Sequence, residues 1–151
     1  MGAKGLTQPA PAALPAATGD DEITIAVVGA HLSGMALTGE LQSLGGRLLE
    51  ATTTTPDYKL YALDTTPPKP GMLRVQTGAG HSIKLELWAL SAAAFGKFVA
   101  AIPPPLGIGT VRLADGRRVK GFVVEPVAID GARDISSFGG WRAFMAEKAG
   151  V

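Results

Sequence analysis

The segment Ile23 to Leu44 reads ITIAVVGAHLSGMALTGELQSL. Its first seven residues, Ile23 to Gly29, are β-branched or small and apolar, which suits a buried strand. A short loop, Gly29 to Met35, follows, and then Leu37, Leu41 and Leu44 recur at helical spacing. The order is strand, loop, helix. Gly29 and Gly34 can take positive φ, so backbone N–H groups of the loop can converge on an anion at the N-terminus of the next helix. No Lys-Ser or Lys-Thr follows, which removes a nucleotide P-loop from consideration. The loop also carries a hydroxyl, Ser33, and a titratable ring, His31. A tight turn whose histidine only caps or packs is the competing reading.

Working outward, Arg47 to Thr53 resumes an extended pattern after Gly45-Gly46, and Thr55-Pro56-Asp57 makes a turn before a strand at Tyr58 to Leu63. Pro67, Pro68, Pro70 and Gly71 read as a stiff, irregular connection. Met72 to Gln76 and Ser82 to Leu90 flank Thr77-Gly78-Ala79-Gly80 and are expected to pair as a hairpin. In its second arm Ile83, Leu85, Leu87 and Ala89 share one face while Lys84, Glu86 and Trp88 share the other. Ser91 is a fitting N-cap for a helix over Ala92 to Ala101, which Pro103-Pro104-Pro105 ends. Gly109 to Leu113 and Arg117 to Val124 pair around Ala114-Asp115-Gly116, the strongest hairpin signal in the chain. A last short strand is expected at Val127 to Ile129, and a helix within Ile135 to Lys148 turns Trp141, Phe144 and Met145 toward the core. Hairpin turns dominate the connections, so the class is α+β rather than a doubly wound parallel sheet.

Composition sets the outer bounds. The chain has 151 residues, enough for one domain with a substantial core, and 46% of them are hydrophobic. A formal net charge of +1 argues against a nucleic-acid surface and against a polybasic membrane anchor. With no cysteine there is no disulfide framework, thiol nucleophile or thiolate zinc site, and two histidines far apart argue against a multi-histidine metal site. Neither a membrane span nor a secretory signal is legible, so a cytoplasmic protein without metal or cofactor is the default expectation. Residues 1–22, with Pro9, Pro11 and Pro15 among alanines, read as a tail or linker ahead of a domain spanning 23–151.

The loop VVGAHLSGM with its Leu-rich helix resembles the entry to the carboxy-terminal domain of allophanate hydrolases. The resemblance recurs in order at YKLYAL, LELWAL, IPPPLGIGTVRLADGRRVKGF and ARDISSFGGWRAF, and covers roughly Ile23 to Ala146. It implies the γ-glutamyl cyclotransferase-like fold, a small, mixed, partly closed β-barrel with flanking short helices and a substrate pocket beside Gly29 to Met35. In γ-glutamyl cyclotransferases the equivalent loop reads Tyr-Gly-Ser-Leu, and a glutamate at or just after the helix following the central strands is the acid and base. Here the helix Ala92 to Ala101 holds no carboxylate, which counts against cyclotransferase activity and leaves Glu86 as the available stand-in.

What the resemblance implies instead is decarboxylation of N-carboxycarbamate, the small anion left when an amidase deaminates allophanate. Nothing in this chain resembles that amidase, so a separate amidase partner is implied. As the C–N bond breaks, charge develops on nitrogen, so the site needs donors for carboxylates and one group that delivers a proton. His31 is the proton donor of choice because its ordinary pKa lies near neutrality. Gly29, Ala30, Leu32, Ser33 and Gly34 supply the cradle, with Tyr61 and Glu86 as further substrate-binding candidates. A non-catalytic module that docks onto the amidase, or organises its oligomer, is the alternative, and self-association is left open.

Overall fold

The computed structural model describes Gly19 and residues 21–150 of the chain. Most of the tail or linker expected at 1–22 lies outside those residues. The elements are β1 (Glu22–Val27), α1 (Thr38–Ser43), β2 (Arg47–Thr53), β3 (Tyr58–Leu63), β4 (Lys69–Arg74), β5 (Lys84–Ser91), α2 (Ala92–Ala100), β6 (Leu106–Arg112), β7 (Arg118–Val124), β8 (Arg133–Asp134) and α3 (Trp141–Gly150), with single 3₁₀ turns at Pro126–Ile129 and Ser136–Phe138. They build a five-stranded sheet in the order β2-β5-β1-β7-β6 and a three-stranded sheet in the order β4-β3-β8. The class is α+β, as read from the sequence.

Two apolar strands sit at the centre. In β1, Ile25, Ala26 and Val27 are fully buried, and the strand pairs antiparallel with β5 and parallel with β7. That mixture is what makes the larger sheet mixed. Residues Leu85 to Leu90 of β5 are all buried, so the alternation Lys84, Glu86, Trp88 does not mark a solvent face: the sheet is covered on both sides. Each fully buried Leu or Ile contributes on the order of 1.5–3 kcal/mol, and Leu41, Leu60, Leu85, Leu87, Leu90 and Ile135 all belong to this core.

The larger sheet curls without closing into a barrel. Its outer strands meet only at one end, where Thr54 bridges Leu113 and the Ala114 amide donates to the Thr53 carbonyl at 2.9 Å. Tyr58 of β3 then ties the smaller sheet to the larger, its fully buried hydroxyl accepting the Arg112 amide at 3.0 Å.

Three local expectations are corrected. The proline-rich stretch is irregular only at Pro67 and Pro68: Pro70 and Gly71 lie inside β4, an outer strand of its sheet, where a missing N–H on the unpaired side costs no ladder bond. Met72 to Gln76 does not pair with Ser82 to Leu90, because β4 pairs with β3 while β5 pairs with β1 and β2, and residues 77–80 carry the chain between sheets. Val127 to Ile129 is a 3₁₀ turn that begins at Pro126, whose fixed φ and absent donor suit a first helical position. Elsewhere the reading and the fold agree: Ser91 caps α2 by accepting the Ala94 amide at 3.1 Å, and β6 and β7 form the expected hairpin.

Candidate functional site

β1 delivers the loop Gly29 to Met35 to the rim of the core, and two glycines make its course possible. A Cβ at Gly29 would collide with the Pro70 ring, so only glycine lets β4 pack there. Gly34 has φ +79°, the left-handed conformation that a side chain disfavours. Between them the loop closes on itself, Leu32 N donating to Gly29 O at 2.9 Å, Met35 N to Leu32 O at 2.9 Å and Leu37 N to Ala30 O at 2.7 Å. Its side chains therefore point to two different places.

His31 lies at a cavity of about 500 Å³ whose wall also includes Glu40, Lys69, Lys97, Phe98 and Phe122. Gly29 and Ala30 line a recess of about 20 Å³ that shares His31, Lys69, Leu106 and Phe122 with it. The imidazole is buried, stacked on Phe122 at 5.2 Å between centroids and met edge-on by Phe98 at 5.1 Å. Its Nε2 lies 2.7 Å from Oε1 of Glu40 in the first turn of α1. A carboxylate only accepts, so Nε2 carries a proton and, in the neutral ring, Nδ1 is the acceptor. Burial pushes the His31 pKa below its ordinary value, the nearby Lys69 charge adds to that, and Glu40 opposes it. The result is a stronger acid than free imidazole, one that a negatively charged neighbour would load with a proton.

Ser33 faces the other way. Its amide donates to Oε1 of Glu86 at 2.7 Å and its hydroxyl to Oε2 at 2.7 Å, while Trp88 Nε1 reaches Oε1 at 3.2 Å. Arg142 of α3 closes the group, Nη2 lying 2.9 Å from Oε2 of Glu86, 2.7 Å from the Ser33 carbonyl and 2.9 Å from its hydroxyl. Glu86 is buried; that burial favours its neutral form, but the bonds from Ser33 and Trp88 and the Arg142 charge win and hold its pKa below the ordinary carboxylate value. The anion in the Ser33 part of the cradle is thus a carboxylate of the protein itself. Leu32, Glu86 and Arg142 border a second cleft of about 370 Å³ with Lys84, Trp141 and the β2 residues Ala51 to Thr53.

Of the residues singled out from sequence, the fold places His31, Gly29 and Ala30 at one cavity and Leu32 and Glu86 at the other cleft, with Ser33 bonded to Glu86 behind it and Gly34 lining neither. Tyr61 stands on β3 opposite Gly71 and Asp134 and lines neither. Glu40, Lys69, Lys97 and Arg142 were not anticipated. Glu40 could have been found nine residues from His31 in the first turn of the predicted helix, whereas Arg142 lies 109 residues from Ser33 and leaves no local trace. Among the described residues no group of three or more His, Asp or Glu could hold a metal ion, and no helix is long and apolar enough to cross a membrane.

A mixed, curled sheet with a loop pocket after its first strand is the γ-glutamyl cyclotransferase-like arrangement. The structure overlays a solved γ-glutamyl cyclotransferase with a TM-score of 0.51 over 75% of this chain and 69% of that one, at 8% identity, a likeness of fold alone. Within that fold, residues 23–146 match the allophanate hydrolase C-terminal domain, and the chain belongs to that family. It is 39% identical over 130 residues to a urea amidolyase of Lachancea kluyveri, covering 83% of this chain and 7% of that protein. The selenomethionine-substituted allophanate hydrolase of Kluyveromyces lactis superposes with a TM-score of 0.80 at 41% identity, over 83% of this chain and 21% of that one. The chain therefore spans a small part of the relatives that it matches.

Proposed function

We propose that this chain assists urea and allophanate degradation by decarboxylating N-carboxycarbamate in the cavity at His31, next to an amidase that supplies the substrate in the cytoplasm. The observation that carries this reading is a buried imidazole, hydrogen-bonded to Glu40, in the wall of a cavity that Lys69 and Lys97 also line. The substrate is a dianion with two carboxylates on one nitrogen. Two lysines answer its charge, and Gly29 and Ala30 shape the recess beside the imidazole.

The chemistry follows from the ring's surroundings. The entering dianion favours the imidazolium that burial disfavours, so substrate and proton arrive together. The C–N bond to one carboxylate breaks, carbon dioxide leaves, and the bonding pair stays on nitrogen. His31 passes its proton to that nitrogen, giving carbamate, while Glu40 holds the ring. Phe98 and Phe122 keep water away from the ring and strengthen every charge interaction in the cavity. Ser33 and Glu86 act through the loop they hold.

The test is release of carbon dioxide from N-carboxycarbamate made in situ by an allophanate amidohydrolase. The protein is expected to accelerate it and His31→Ala to abolish the acceleration; a rate equal to the spontaneous one removes the proposal. A second reading rests on the chain's small share of its relatives' length: it docks onto an amidase as a non-catalytic module. Size-exclusion with the amidase separates the two, since a scaffold co-migrates after His31 is replaced and gives no acceleration before.

A further inference from the structure

We propose that Arg142 is a positioning residue that locks the His31 loop from the far end of the chain. Among the described residues the loop is tied to distant elements by the His31–Glu40 bond and through Ser33, whose amide and hydroxyl donate to Glu86 and whose carbonyl and hydroxyl accept from Arg142. Without Arg142, the Ser33 carbonyl loses its 2.7 Å donor and Glu86 loses the cation beside it.

Both anchors stand on β5. Glu86 belongs to that strand, and the start of α3 is tied to it by the Lys84 amide donating to the Gly139 carbonyl at 2.9 Å. Trp141 and Phe144, both buried, fix the helix on either side of Arg142. The guanidinium therefore meets Ser33 from a rigid support, two residues along the chain from His31. Holding Ser33 holds the turn that sets the imidazole between Phe98 and Phe122. A group placed this way raises reactivity by geometry, and misplacement on the order of 1 Å can cost about a hundredfold.

This inference deepens the decarboxylation reading, yet its central test needs no substrate. The chain has two histidines, so long-range ¹H–¹⁵N spectra of the imidazoles give two sets of signals, and His81→Ala identifies those of His31. In Arg142→Ala the loop is expected to loosen and water to reach the ring, so that His31 signals move and its titration midpoint rises toward 6.5. Arg142→Lys restores one charge without the branched donor set and is expected to fall between. Methylguanidinium added to Arg142→Ala is expected to return the signals toward wild type. Ser33→Ala, which keeps the amide bond to Glu86, gives a smaller shift in the same direction. Val111→Ala, a destabilising change in the core of β6, is expected to leave His31 signals in place. With substrate, Arg142→Ala lowers kcat by about ten- to a hundredfold with little change in KM. Unchanged His31 signals in Arg142→Ala, or equal movement in Val111→Ala, overturn the proposal. Absence of decarboxylation in the wild type would instead remove the reading on which it builds.

Discussion

The two carboxylates next to this loop do opposite things. Glu40 is 55% exposed and touches one nitrogen of His31, whereas Glu86 is 8% exposed and accepts from Ser33, Trp88 and Arg142. An exposed carboxylate with one partner can adjust as its partner gains or loses a proton. A buried one surrounded by donors cannot, because every displacement strands a donor. Under the proposed function the first half of the loop serves chemistry and the second rigidity, and the division falls between His31 and Ser33.

Substitutions can break that comparison. The largest effect is expected on rate: His31→Gln should slow decarboxylation by about 10²- to 10⁴-fold while urea denaturation shows little loss of stability, since the ring is replaced by a polar group of similar reach. Glu86→Ala should do the reverse in the same denaturation experiment, costing about 3 kcal/mol because it strands buried donors. If it costs no more than Glu40→Ala, whose half-exposed carboxylate makes one hydrogen bond to His31 worth about 1 kcal/mol, the two carboxylates are not different in kind. Gly34→Ala, forcing a side chain into φ +79°, should cost about 1 kcal/mol by thermal unfolding.

The pH dependence sharpens the contrast. His31 has a lowered pKa in the fold, so between that value and about 6.5 the unfolded chain binds more protons. Stability is expected to fall as pH drops through that window, and to do so less in His31→Gln. Glu86 also has a lowered pKa, so its contribution is complete above about 4.5 and is lost below it as pH falls toward the folded value. Glu86→Gln should flatten that lower step only. In kinetics, kcat/KM should decline above the free-protein pKa of His31, and Glu40→Gln, which removes a group that raises that pKa, should move the break to lower pH.

Local patterns in the sequence carried much of the fold. Ser91 before an alanine run, Asp115-Gly116 between β-branched stretches, and the β1-loop-α1 order each express their structure within a few residues. Pairing did not read the same way. Thr77 to Gly80 has the composition of a hairpin tip, but β5, buried from Leu85 to Leu90, is drawn between β1 and β2, and burial on two faces outweighs a turn signal. The same limit governs the site. His31 stood out as a titratable group in a glycine-flanked loop, whereas Lys69, Lys97 and Arg142 reach it or its loop only through packing of β4, α2 and α3. Glu86 was visible as a lone strand carboxylate, but its partners came from both ends of the chain.

The bond between Arg142 and Ser33 joins residues 109 positions apart. A growing polypeptide therefore exposes this loop long before the residue that fastens it has been made. Any fragment cut short ahead of α3 would retain the residues that line the His31 cavity and still lack Arg142, so under the proposed function it would hold the site's side chains without the proposed latch.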